Sequence, residues 1–88
     1  MITTTDPTTT DRAAALFVST VSVFDQLTDD QVDTAIEAAL RTHGGSLGCV
    51  ADVAAAYGDH PELAAPRMRW ARRIVEHGYA PRELAMAA

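Results

Sequence analysis

The sequence predicts an all-α fold, a compact single domain of about four short helices packed as a bundle or an orthogonal array. Apolar residues recur at helical spacing in successive segments, and short polar or glycine-containing connections separate these segments. Hydrophobic residues make up 48% of the 88 residues, but five are aromatic, so Ala, Val, Leu and Ile must build the core. We assign residues 11–88 to this domain and residues 1–10, which carry six threonines, to a flexible tail.

The first helix is expected from Asp11 to Leu27. Its Val, Thr and Phe residues also favour a strand, but no second strand is available for pairing. The helical interpretation places polar positions on one stripe, namely Arg12, Ala15, Ser19, Ser22 and Gln26. It places apolar positions on another, namely Ala14, Phe17, Val18, Val21 and Phe24.

Capping residues mark the next two helices. Thr28 and Gln31 have the spacing of a capping box, and His43-Gly44-Gly45 is expected to end the helix. Its inner face should comprise Val32, Ala35, Ile36, Ala39 and Leu40. Ser46 should cap a third helix that runs to Tyr57, with Leu47, Val50, Val53, Ala54 and Tyr57 facing inward.

Residues 59–78 are expected to organise the fold, because they hold the only tryptophan and the longest helical pattern. Asp59 and Glu62 have capping-box spacing, and Gly78 suits a left-handed C-cap. Pro66 should interrupt the helix, since an interior proline costs about 3 kcal/mol. We therefore expect a short turn over 60–64 and a main helix over 66–77. Trp70 should be shielded in the core, on an arc with Ile74 and Leu63.

The opposite face of this helix is the candidate partner-binding surface. It comprises Arg69, Arg72, Arg73 and Glu76, and Arg82 in the following segment extends it. Arg67 is also a candidate, but the helical count places it on the apolar arc. Two interpretations of Arg67 stay open: its stem packs while its head reaches solvent, or its guanidinium pairs with a carboxylate or a ligand.

The charge distribution indicates a binding protein rather than a nucleic-acid coat. The net charge is −5, yet residues 1–40 carry about −6 and residues 41–88 about +1. We therefore expect a small non-catalytic protein that binds a protein partner or itself. The alternative is DNA binding, because Val53, Ala54 and Gly58 resemble the first helix of a helix-turn-helix unit and an arginine-bearing helix, residues 66–77, follows.

Other classes of function lack a signature in the sequence. We find no catalytic motif, and we expect no metal, no cofactor and no small-molecule substrate. The single Cys49 suits a reducing compartment, and without a signal peptide or an apolar span we expect a cytoplasmic protein with no membrane partner. Lys and Asn are absent, which indicates GC-rich coding DNA and hence a high-GC bacterium or its phage.

Overall fold

The computed structural model describes residues 7–79, with side chains from Thr9 onward. It confirms the predicted all-α class, and residues 7–79 contain no strand. The helices are α1 (Pro7–Val18), α2 (Asp29–His43), α3 (Gly45–Asp59) and α4 (Pro61–Arg73), and a π-helical turn (Ile74–Gly78) follows α4. The last turn expected after Pro81, together with Arg82, lies outside the described residues.

The central element of the fold is α1, which contacts α2, α3, α4 and the π-helical turn. Residues Ala13–Phe17 are buried at every position, as in a helix that is apolar all round. The expectation that residues 59–78 organise the fold is therefore wrong, and so is the solvent-facing position expected for Ala15. The three consecutive alanines 13–15 explain this, because their small side chains let neighbouring helices approach α1 from several sides.

The bounds of α1 differ from those expected. Pro7 occupies the first helical position, where its missing N–H would have no partner anyway, so the helix includes residues 7–10. Residues 1–6 of the predicted tail lie outside the described residues. The helix ends at Val18 instead of Leu27, because the Ser19 hydroxyl donates to the Leu16 carbonyl at 2.6 Å and competes with continued helix. Phe24, expected on the apolar stripe, is consequently exposed.

The structure of α2 agrees with the sequence prediction. The Thr28 hydroxyl accepts from the Gln31 amide, and the Gln31 side chain accepts from the Thr28 amide. Gly44 ends the helix in the left-handed conformation, with φ of 81°. The predicted inner face is correct. Val32, Ile36 and Ala39 are buried, and Ala35 and Leu40 pack against the core.

The inner face of α3 is rotated from the one expected. Cys49 is fully buried and Val53 packs against the core, whereas Leu47 is 86% exposed and Val50 is also exposed. Gly44, rather than Ser46, is the N-cap. The rotation follows from Gly48, where a Cβ atom would lie 1.5 Å from the backbone oxygen of His43. Only a glycine lets this side of α3 approach the end of α2 so closely.

Four expectations for residues 59–78 are wrong. Asp59 ends α3 and His60 occupies the N-cap without a side-chain hydrogen bond, so no Asp59–Glu62 capping box forms. The helix continues through Pro66 because burial of Ala64, Trp70 and Ala71 on its inner side stabilises it. Gly78 closes the π-helical turn and does not have a positive φ. Trp70 is buried as predicted, whereas Leu63 is 66% exposed.

Candidate protein-binding surface

The exposed side of α4 carries the predicted arginines, and we call Arg69, Arg72 and Arg73 the basic strip. All three residues are exposed. Arg72 is paired with Glu76: its Nε donates to Oε2 at 3.2 Å, and its Nη2 also lies 3.2 Å from Oε2. Within residues 7–79, Arg69 and Arg73 form no ion pair. Two guanidinium groups of the strip are thus available to an acidic partner.

An apolar groove lies directly beside the basic strip, and we call it the α4 groove. Its volume is about 430 Å³, and its lining residues are Val23, Leu63, Pro66, Arg67, Trp70 and Arg73. Leu63 is one of the most exposed large apolar side chains in the described part of the chain. Among the described residues that line the groove there are two arginines and no carboxylate. This combination suits an apolar side chain next to an acidic one.

Arg67 reaches the α4 groove but turns its donors inward. Its Nε donates to the carbonyl of Phe17 at 2.6 Å, and its Nη2 donates to the carbonyls of Ser19 and Val21 at 3.0 and 2.8 Å. The guanidinium carbon lies 4.8 Å from the centroid of the Trp70 ring. Burial lowers the pKa of Arg67. The two interpretations from the sequence have the guanidinium reach solvent, or pair with a carboxylate or a ligand. In the structure it instead binds backbone carbonyls at the end of α1 and just beyond it.

The segment that follows α1 presents an exposed aromatic side chain on a tight turn, residues 22–25, which we call the Phe24 turn. Phe24 is 89% exposed. The amide of Asp25 donates to the Ser22 carbonyl, the amide of Ser22 donates to the Asp25 carboxylate, and the amide of Phe24 donates to the Ser22 hydroxyl, each at 3.1 Å. These bonds hold the turn in one conformation.

The Phe24 turn adjoins the α4 groove. Val23, which precedes Phe24, is itself part of the groove lining. The chain enters the turn from Val21, whose carbonyl accepts a hydrogen bond from Arg67. Arg67 therefore fixes both one wall of the groove and the base of the turn, so their relative position is set by one side chain.

A second groove of about 370 Å³ lies on another side of α4. α1, α3 and α4 contribute to its lining, which includes Val50, Val53 and Met68. Its charged lining residues are Arg72 and Glu76, which already pair with each other. This groove therefore offers less to a charged partner than the α4 groove does.

The connection between α3 and α4 is short for a helix-turn-helix unit. Asp59 ends α3 and Pro61 begins α4, so His60 alone separates the helices. DNA-binding units of this kind commonly have a turn of three to four residues. Gly58, expected in the turn, lies inside α3 instead. The arginines remain exposed, but the residues that carried the resemblance do not form the expected turn.

The described residues offer no reactive or metal-binding cluster. No group of three or more His, Cys, Asp or Glu side chains within residues 7–79 could hold a metal ion. Cys49 donates from Sγ to the Ala39 carbonyl at 3.8 Å, and burial, then the charges of Asp52 and Asp11, raise the pKa of its thiol. His43 contacts Asp52 through Nδ1 and links the end of α2 to α3.

Sequence reasoning found the basic strip but missed the α4 groove and the Phe24 turn. A helix over residues 11–27 would have placed Phe24 in the core. The signal that favours a turn is the pair Ser22 and Asp25, whose side chains can accept hydrogen bonds from nearby backbone amides. Leu63 is missed because helical spacing places it on the buried arc with Trp70, whereas in the structure it is 66% exposed and lines the groove.

No protein-family model, curated protein or solved structure matches this chain. None of the helices within residues 7–79 has the length and apolar character needed to cross a membrane.

Proposed function

We propose that this chain is a non-catalytic helical protein that binds a protein surface combining acidic and apolar side chains. The binding site comprises the basic strip and the α4 groove. The observation that carries the proposal is their adjacency: Arg73 belongs to both, and the exposed Leu63 lies in the same groove. Aromatic side chains and arginine beside apolar area are typical of protein interfaces.

The same surface favours a protein partner over duplex DNA. Glu76 lies within the arginine face and would repel a phosphate, and the net charge of −5 opposes non-specific attraction to nucleic acid. An exposed leucine contributes little to phosphate contacts but can pack against an apolar side chain of a protein. A protein partner thus uses every part of this surface.

Affinity capture with charge-reversal variants tests the proposal. The tagged chain captures partners from a lysate of a high-GC bacterium, with and without nuclease. We expect the triple variant R69E/R72E/R73E to lose the captured protein while remaining folded, because surface substitutions usually change stability by about 0.5 kcal/mol or less each. R41E is the control, because Arg41 is exposed on α2, away from this surface.

The outcome separates protein binding from DNA binding. Capture that survives nuclease and weakens gently with salt supports a protein partner. Affinity for duplex DNA that falls steeply with salt, with a flatter slope in the triple variant, would establish the DNA-binding alternative instead. A folded triple variant that captures the same proteins as the parent would exclude the basic strip.

We also propose a cytoplasmic location. Cys49 is a free, fully buried thiol, which is compatible with a reducing compartment. Within the described residues, the surface carries both acidic and basic side chains, which suit contact with partners in aqueous solution.

A further inference from the structure

We propose that the occupant of the α4 groove is Phe24 of a second copy of this chain, in a two-fold symmetric dimer. This inference rests on the proposed function, since it names the partner of the same surface. Three features support it. Phe24 is exposed to solvent, the α4 groove has apolar and basic lining residues, and the Phe24 turn lies beside the groove.

Phe24 has the properties of an interface anchor. At 89% exposed, it leaves almost all of its ring in water, which is unfavourable unless a partner covers it. Three hydrogen bonds within the Phe24 turn fix the backbone that carries it. Such pre-organisation reduces the entropy lost on binding.

The α4 groove suits the Phe24 turn in size and charge. Val23, Leu63, Pro66 and Trp70 provide apolar and aromatic walls for a phenyl ring, within about 430 Å³. Asp25 follows Phe24 directly, and it would approach the Arg73 guanidinium at the groove when the ring is inserted. Within residues 7–79, the lining of the groove has no carboxylate to repel Asp25.

The adjacency of the two features leads to two-fold symmetry. An isologous interface requires the same patch on both copies, with each patch carrying both the inserted group and its receptor. Here Val23 lines the groove and Phe24 is the next residue, so one patch contains both parts. Two copies can therefore exchange Phe24 rings reciprocally, and the assembly closes at the dimer.

Sedimentation equilibrium of the full chain over a wide concentration range tests this inference. We expect a reversible monomer–dimer equilibrium in the parent. F24A removes the inserted ring and L63E charges the groove, and both should weaken the dimer on the order of thirtyfold, as for an interface anchor. L47A and L47E are matched controls, because Leu47 is 86% exposed on α3, outside the α4 groove, and both should dimerise like the parent.

Tryptophan fluorescence gives an independent measurement, because the only tryptophan, Trp70, lines the groove. Its emission should change with concentration in the parent, and in F24A the same change should require a concentration higher by a factor on the order of thirty. A parent that stays monomeric, assemblies that grow beyond the dimer, or a dimer unchanged by F24A would each overturn the inference. Loss of lysate capture in R69E/R72E/R73E together with a monomeric parent would reject the dimer and retain the proposed function.

Discussion

Arg67 ties α4 to the end of α1 with hydrogen bonds that span 46 to 50 residues of sequence. Carbonyls at a helix C-terminus have no intrahelical partner, and the negative end of the helix dipole attracts a cation. The Phe17 carbonyl lies in this last turn, and the Ser19 and Val21 carbonyls lie just beyond it. One guanidinium binds all three because it presents several donors in a fixed plane. The same guanidinium lies over the ring of the buried Trp70, with its carbon 4.8 Å from the ring centroid.

Replacing Arg67 should therefore destabilise the whole domain. We expect R67A to lower the free energy of unfolding by about 2–4 kcal/mol, because hydrogen bonds from a charged donor contribute about 1.5–3 kcal/mol each and part of that is recovered by water. R67K should lie between parent and R67A, since an ammonium lacks the planar fork. Denaturant titration measures this.

R69A is the matched control, because Arg69 is an exposed arginine on the same helix. It should change stability by no more than about 0.5 kcal/mol. Equal stabilities for R67A and R69A would show that the three carbonyl contacts contribute nothing.

At the scale of elements, the sequence predicted most where one local pattern decides the structure. The capping box at Thr28, the end of α2 at Gly44 and the buried face of α2 are all correct. The first helix is predicted to reach Leu27 because periodicity continues through Phe24. In the structure the helix ends at Val18, and Arg67, far away in sequence, binds the carbonyls of Phe17, Ser19 and Val21. Long-range contacts of this kind cannot be read from local spacing.

The dependence on long-range contacts also explains which parts of the candidate site could be predicted from the sequence. Helical spacing located the basic strip correctly on the exposed side of α4. The α4 groove could not be predicted, because its walls come from two segments that are forty residues apart in sequence, with Val23 on one side and Leu63 on the other. Their meeting depends on how α1 ends.

Close packing of α3 on the end of α2 leads to a prediction about two glycines. G48A should lower the free energy of unfolding by about 2–4 kcal/mol, because the new methyl group would meet the backbone oxygen of His43 and force the helices apart. G58A is the control on the same helix. It meets nothing within 4 Å and should raise stability by up to about 1 kcal/mol, since Ala favours a helix over Gly.

Thermal unfolding of both variants measures the contrast. A G48A protein as stable as the parent would mean that α3 can move away from α2 without loss. Comparing G48A with G58A also shows whether helix propensity or the close approach to α2 has the larger effect on the stability that α3 contributes.

For the whole molecule, the small size of the core explains why association would help. The core cluster depends heavily on alanine, and the largest fully buried side chains are Leu16, Val32 and Cys49. A domain of this length buries only roughly two thirds of its unfolded surface. Within the described part of the chain, the most exposed large apolar side chain, Phe24, lies on a fixed turn next to the α4 groove. Covering both in a dimer adds apolar burial that the monomer lacks.

If the chain dimerises through Phe24, its melting temperature should rise with protein concentration. Once dimers predominate, each tenfold rise in concentration stabilises the pair by about 1.4 kcal/mol, or about 0.7 kcal/mol per chain. For a domain of this size that corresponds to roughly 3–6 °C, at 4–8 °C per kcal/mol. In F24A the same rise should begin only at a concentration higher by a factor on the order of thirty, while L47A should follow the parent, and scanning calorimetry measures all three. A parent whose melting temperature is independent of concentration would mean that the folded monomer is the stable species and that Phe24 stays in water.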